Sequence, residues 1–286
     1  MRFRTLLTGL LLVSLAWPAF ADQTLLLRQP ALSQDHLAFV YAGDIWVSDW
    51  SGQNARRLTS GAATEDTPVF SPDGSMIAFR AAYENNNDVY VMPVAGGQPQ
   101  RLTWHPARDT PQGWSKDGKE VFFVSARETD HGRSGQLFSV SLDGGFPAKQ
   151  MEARIVQGSF SDGGELAYII FIPGYNGLFG FSAGWKGYRG GTAPEINIMD
   201  AAKESVTTVP GEGSTNFNPF WVGQQVYFLS DREDKLFKLF RYDPASASIE
   251  KVTGESTWDI RAAGGHGQTV VYEAGGRIKR LDLASG

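Results

Sequence analysis

Cysteine is absent from all 286 residues. That excludes disulfides, thiol nucleophiles and cysteine-ligated zinc. Histidine is nearly absent too, with 4 in the chain. His36, His105, His131 and His266 show no H-x-x-x-H or similar ligand spacing, so no metal or cofactor is expected. Basic residues do not dominate: 26 Lys and Arg face 31 Asp and Glu, for a net charge of −5. A mildly acidic chain argues against a nucleic-acid partner. Helical periodicity is missing after the first twenty or so residues, and no later apolar run is long enough to cross a bilayer.

The N-terminus reads "MRFRTLLTGLLLVSLAWPAFADQ". Arg2 and Arg4 form a basic start, Leu6 to Trp17 a short apolar core, and Ala19-Phe20-Ala21 an A-x-A cleavage site. Residues 1–21 are therefore expected to be a signal peptide. The mature chain then starts at Asp22 and is periplasmic or secreted, with no membrane span after cleavage.

The mature part repeats. "FSPDGSMIAF" (70–79) is echoed by "WSKDGKEVFF" (114–123) and "FSDGGELAYI" (160–169), with weaker copies at 32–40, 221–229 and 264–273. Each pairs an aromatic or apolar residue with a tight turn and an alternating strand. Asp-Gly suits such a turn because Gly accepts positive φ and Asp bonds to the nearby backbone. A further strand follows each copy: "DIWV", "DVYV", "QLFSV", "EINIM", "KLFRY" and "RIKRL". A turn and a last strand complete the unit, as in "ARRLT" and "PQRLT". Four strands per repeat of roughly 40–50 residues mark a β-propeller. The chain is therefore expected to be all-β: a six-bladed β-propeller of four-stranded antiparallel blades over 22–286. The repeats start near Leu32, Pro68, Pro111, Val156, Asn218 and Ile260. The sixth stops at "RLDLASG" before its last strand. Either Thr24–Arg28 ("TLLLR") or chain beyond Gly286 is expected to complete it, and the chain reads as the front of a longer protein.

These repeats resemble the WD40-like repeats of the TolB propeller and of peptidase propellers. "GWKGYRGGTAPEINI" (184–198) more specifically resembles a W-K-x-Y-R-G-G signature of tricorn-type serine peptidases, and "RRLTSG", "RLTWHPARD" and "LSDRED" fit the same family. The resemblance implies a non-catalytic propeller that gates or channels peptides for a serine-peptidase core on the same polypeptide. It also implies a homo-oligomer, typically a hexamer. The signal peptide departs from the cytosolic archetype and points to periplasmic peptides. The alternative is a stand-alone TolB-like periplasmic propeller that binds partner proteins.

"GFSAG" (180–184) fits the G-x-S-x-G nucleophile elbow. The elbow needs a strand before the serine and a helix after it. Pro173 and glycines break the upstream flank, and "WKGYRGG" cannot begin a stable helix. No catalytic residue is therefore expected, Ser182 included. The 172–194 insertion holds the candidate gating or docking loop: Trp185, Lys186, Tyr188, Arg189, Gly190 and Gly191. The opposing reading is a loop folded over the blade edge with Arg189 paired internally. Arg127 and Arg232 recur at one blade position, in "SAR" and "SDR", which favours an internal anchor over a carboxylate site on the rim. Asp73, Asp117 and Asp162 stand in isolated turns. Calcium needs several oxygens at close alternating spacing, so these read as structural.

Overall fold

The computed structural model describes residues 26–129, 135–170, 189–190, 193–255 and 257–285. Every described regular element is a β-strand, and the strands form six antiparallel meander sheets. Their innermost strands are Arg28–Leu32, Glu65–Phe70, Asp109–Trp114, Gln157–Phe160, Asn216–Val222 and Ile260–His266. Five sheets have four strands, and the sixth has three among the described residues. The six-bladed propeller expected from the repeats is the fold observed.

Burial explains the ring. Each sheet is apolar on both faces, so its neighbours must cover it. Ala38, Ile45 and Val47 of the first blade pack on Ile77, Phe79 and Met92 of the second. Ala78, Val89 and Val91 of the second meet Trp114, Phe123 and Phe138 of the third. The seam between the sixth and first blades is leaner, with Leu32, Leu37, Phe39 and Val271 buried. A backbone bond from Leu27 N–H to the Gly276 carbonyl, 3.0 Å, also crosses that seam. Arg28 belongs to the first blade's inner strand, while Thr24 and Leu25 lie outside the described residues.

The recurrent letters staple each blade. Asp44 and Asp88 open the third strands of blades one and two. They take salt bridges from Arg57 and Arg101 at 2.7 and 2.8 Å. The threonine two residues after each arginine accepts a backbone N–H at its hydroxyl: Ile45 to Thr59 at 2.9 Å and Val89 to Thr103 at 3.0 Å. Thr253 does the same for Leu239 in blade five. "D-[IV]…R-L-T" is thus a clasp between the third and outer strands. The Asp-Gly turns are structural as well. Asp73 accepts the Ser71 hydroxyl at 2.6 Å and the Ser75 hydroxyl at 2.7 Å. Those bonds, Ser71 first, lower its pKa to about 2.

Candidate functional site: the central channel

The six inner strands enclose an open cavity of about 1410 Å³. Their sequences carry a feature the repeat pattern did not flag. A polar residue stands beside a proline in Gln29-Pro30, Thr67-Pro68, Pro111-Gln112 and Asn218-Pro219. Ladder pairing slips at each of these places. Such bulges suit proline, which has no N–H to donate. Gln29, Thr67 and Asn218 adopt φ of 47, 53 and 53°. That left-handed region is costly for residues other than glycine, and most so for β-branched threonine.

The strain has a structural return. At these bulges Gln29, Gln112 and Asn218 reach the next blade, as Gln157 does from a regular ladder. Gln29 Oε1 accepts from Thr67 N–H at 2.8 Å, Gln112 Oε1 from Gly158 N–H at 2.9 Å, and Gln157 Oε1 from Asn218 N–H at 3.0 Å. Asn218 grips Ala263 twice, accepting its N–H at 3.0 Å and donating to its carbonyl at 2.9 Å. Glu273 Oε2 accepts from Gln29 N–H at 3.1 Å and closes the circle. At the junction of blades two and three, Arg80 donates to Thr110 Oγ1 at 3.1 Å instead. Every blade-to-blade step around the channel is therefore tied by a side chain.

The channel is asymmetric in charge. At the mouth where the inner strands begin stand Arg28, Arg80, Arg108 and Arg261, facing Asp66 and Glu273. All six come from blades six, one and two or the loop entering blade three. Blades four and five present Val156, Gln157, Ile169, Ile170 and Asn218 there, none of them charged. Arg80 is salt-bridged to Asp66 at 2.5 Å. Burial pushes the Glu273 carboxyl above its usual range, against the pull of Arg28 and Arg261. Burial, then the nearby Arg80, pushes the Arg108 guanidinium down against the pull of Asp66. Around the opposite mouth, Lys116 donates to the Asp162 carbonyl at 3.0 Å.

The recurrent arginines do not reach this channel as ligand groups. Arg127 bonds Asp109 at 2.7 Å and lies over the Phe123 and Phe138 rings, 4.9 and 5.0 Å from their centroids. Arg232 bonds Asn216 at 3.1 Å and lies over Phe228 and Phe240, both at 5.1 Å. They are matching internal anchors in blades three and five. Blade two has Tyr83 at this position, stacked edge-on at 4.8 Å on Tyr90. Nearby, Glu65 is fully buried and accepts from Thr59 Oγ1 at 3.0 Å. Its Oε1 has no hydrogen-bond partner, and burial raises its pKa.

Of the insertion residues, Trp185, Lys186, Tyr188 and Gly191 lie outside the described residues, as does Ser182. Gly190 is described beside Arg189. Arg189 donates to Asp231 Oδ1 at 2.9 Å and to its carbonyl at 2.6 Å. The Asp231 side chain is fully buried and also accepts the Thr215 N–H at 2.9 Å. Arg189 thus pins the end of the insertion to blade five.

A ring of six antiparallel meanders around a polar, side-chain-tied channel defines a six-bladed β-propeller. The chain belongs to the tricorn protease N-terminal beta propeller domain family, whose sequence model matches residues 24–286. It is 29% identical to tricorn protease homolog 1 of Streptomyces coelicolor over 261 residues, covering 91% of this chain and 24% of that protein. It is 26% identical to the tricorn protease homolog of Saccharolobus solfataricus, covering 88% of this chain and 23% of that protein. The chain therefore spans about a quarter of the length of these relatives. The crystal structure of the tricorn protease superposes with a TM-score of 0.78 at 22% identity, over 91% of this chain and 25% of that one. TolB from Acinetobacter baumannii shares the fold with a TM-score of 0.58 at 20% identity, over 78% of this chain and 53% of that one.

Proposed function

We propose that this propeller is a non-catalytic gate that passes unfolded peptides along its central channel to or from a serine-peptidase core. The core is proposed to lie on the same polypeptide, and the assembly to be a homo-oligomer in the periplasm or outside the cell. One observation carries the reading: the channel stays open at about 1410 Å³ while being lined by hydrogen-bonding groups. An extended peptide needs polar partners for its backbone, and lining groups outside the cross-blade bonds are proposed to supply them. Membership of the tricorn N-terminal propeller family supports the link to peptide chemistry.

Gly113 lines this channel, its φ is not in the left-handed region, and a Cβ there would meet nothing within 4 Å. Gly113→Trp therefore obstructs the channel with little disturbance of the fold. A panel of unfolded decapeptides should bind the isolated chain without being cut, and Gly113→Trp should abolish binding. Hydrolysis by the isolated chain, or binding indifferent to Gly113→Trp, would overturn the reading. A folded protein partner held equally by both forms would instead favour a TolB-like interaction module.

A further inference from the structure

Two neighbouring seams share one plan and differ by a single charge. At the seam between blades two and three, Asp88 and Asp109 lie close enough to repel. Arg101 pairs with Asp88 at 2.8 Å and Arg127 with Asp109 at 2.7 Å. The seam between blades one and two repeats the acids as Asp44 and Glu65, and Arg57 pairs with Asp44 at 2.7 Å. Tyr83 stands where the next blade has Arg127, and no described cation pairs with Glu65. Glu65 is 0% exposed; its Oε2 accepts the Thr59 hydroxyl at 3.0 Å, and its Oε1 accepts nothing among the described residues. A buried carboxylate with an idle oxygen and a like charge beside it is held at a cost.

A pocket of about 370 Å³ adjoins this carboxylate and shares no lining residue with the channel. Thr59, Ser60 and Gly61 of blade one and Tyr83 and Tyr90 of blade two line it. One seam on, a loop of the same length carries Trp104 and His105 in place of Ser60 and Gly61. A Cβ on Gly61 would lie 2.8 Å from Glu65 Oε1 and 2.8 Å from the Tyr83 ring. Glu65 Oε1 therefore lies directly behind the wall that Gly61 and Tyr83 give the pocket. We infer that this pocket binds an alkylammonium group, whose N–H reaches Glu65 Oε1 as the Tyr83 ring shifts to admit it. The ligand supplies the charge that Arg127 supplies one seam on. An ammonium is compact, carries three donors and is attracted to the faces of tyrosine rings. A guanidinium fork asks for two free carboxylate oxygens, and Thr59 already holds Oε2. Calcium needs about six or more oxygens, and no group of three His, Asp or Glu ligands occurs among the described residues.

A free amine and a lysine side chain carry the same group, so n-butylammonium and Nα-acetyl-lysine methylamide are the probes. Each is titrated into the chain at constant ionic strength, against sodium chloride as reference, and followed by amide NMR. Saturable shifts centred on Gly61 and Tyr83 are expected, and sodium chloride should not produce them. Glu65→Gln should weaken binding about tenfold, since it removes a charged hydrogen-bond partner. Tyr83→Arg should place the missing cation in the seam and abolish binding. Amide shifts in blade five, remote from the seam, report whether each variant is folded; if Tyr83→Arg is not, Glu65→Gln decides alone. Binding of both probes supports the site and admits a lysine side chain as its occupant, while binding of butylammonium alone supports it for small amines. No saturable binding, or an affinity that Glu65→Gln leaves unchanged, would overturn the site. Larger saturable shifts with calcium, removed by Glu65→Gln, would make the ligand a metal ion and overturn the ammonium assignment.

Discussion

Arg127 offers a measurement that separates a buried charge from a buried ring contact. Its side chain is 11% exposed and that of its partner Asp109 is 0% exposed. Asp109 Oδ2 takes the Arg127 bond, while Oδ1 has no partner. Arg127→Ala therefore strands a carboxylate that has no other anchor. Breaking a buried pair from one side costs about 3–5 kcal/mol. The two ring contacts are included in that loss rather than added, since one truncation removes them together. Arg232 supplies the control. It has the same ring sandwich and the same serine contact, but its partner Asn216 is neutral. Arg232→Ala should cost about 2 kcal/mol, from its hydrogen bonds to Ser230, Asn216 and the Pro210 carbonyl and the cation–π contacts. The difference of about 2 kcal/mol is the stranded charge. In the Arg127→Ala background, Asp109→Asn should therefore recover most of that difference. Urea unfolding followed by tryptophan fluorescence measures all four chains. Equal losses for Arg127→Ala and Arg232→Ala, or no recovery by Asp109→Asn, would show that the charge does not matter here.

Glu65 gives a pH signature. Its folded pKa is raised by burial, so its contribution to stability is complete below the unfolded carboxylate pKa and is lost as pH rises through the folded value. Glu65→Gln should flatten that decline and match or exceed the parent chain at neutral pH; a parent and variant with parallel stability–pH curves would contradict this. Asn218→Ala removes both bonds to Ala263 and leaves the Ala263 N–H and carbonyl to water, which should cost about 1–3 kcal/mol. Hydrogen exchange should speed up at Ala263 more than at Ala38, which lies deep in the first two blades. For export, mass spectrometry of the chain expressed with its own N-terminus should find the mature protein starting at Asp22, and an intact Met1 start would refute cleavage.

The blade count was legible because the repeat is written in residues that act locally. Asp-Gly fixes a turn, and the aspartate and R-L-T letters fix a clasp within one sheet. Trp114 and Trp221 were visible as the aromatic heads of their repeats, and each donates to a carbonyl of the preceding blade, Val69 and Ser159, at 3.0 and 3.1 Å. The internal role of Arg127 and Arg232 was legible for the same reason: a residue recurring at one blade position reports on the blade. Which residues line and tie the channel was not legible. Gln29, Gln112, Gln157, Asn218 and Glu273 are different residues doing one job, and Glu273 comes from a second strand rather than an inner one. Their partners lie 45 or more residues away in four of these cases and 38 in the Gln29–Thr67 bond. The only local clue was the recurrent proline beside a polar residue, which marks an edge strand with a bulge.

That clue also explains why the channel can be both wet and rigid. An inner strand has one open edge, and its N–H groups need partners that no further strand provides. Filling the axis with apolar side chains would leave those groups unsatisfied. Here the neighbouring blade supplies an amide or carboxylate oxygen instead. The side chains that hold the ring together are thereby spent on the ring. Gln29, Gln112, Gln157, Asn218 and Glu273 are bonded to backbone and are poor candidates for gripping a passing peptide. Selectivity must then come from lining residues outside that circuit.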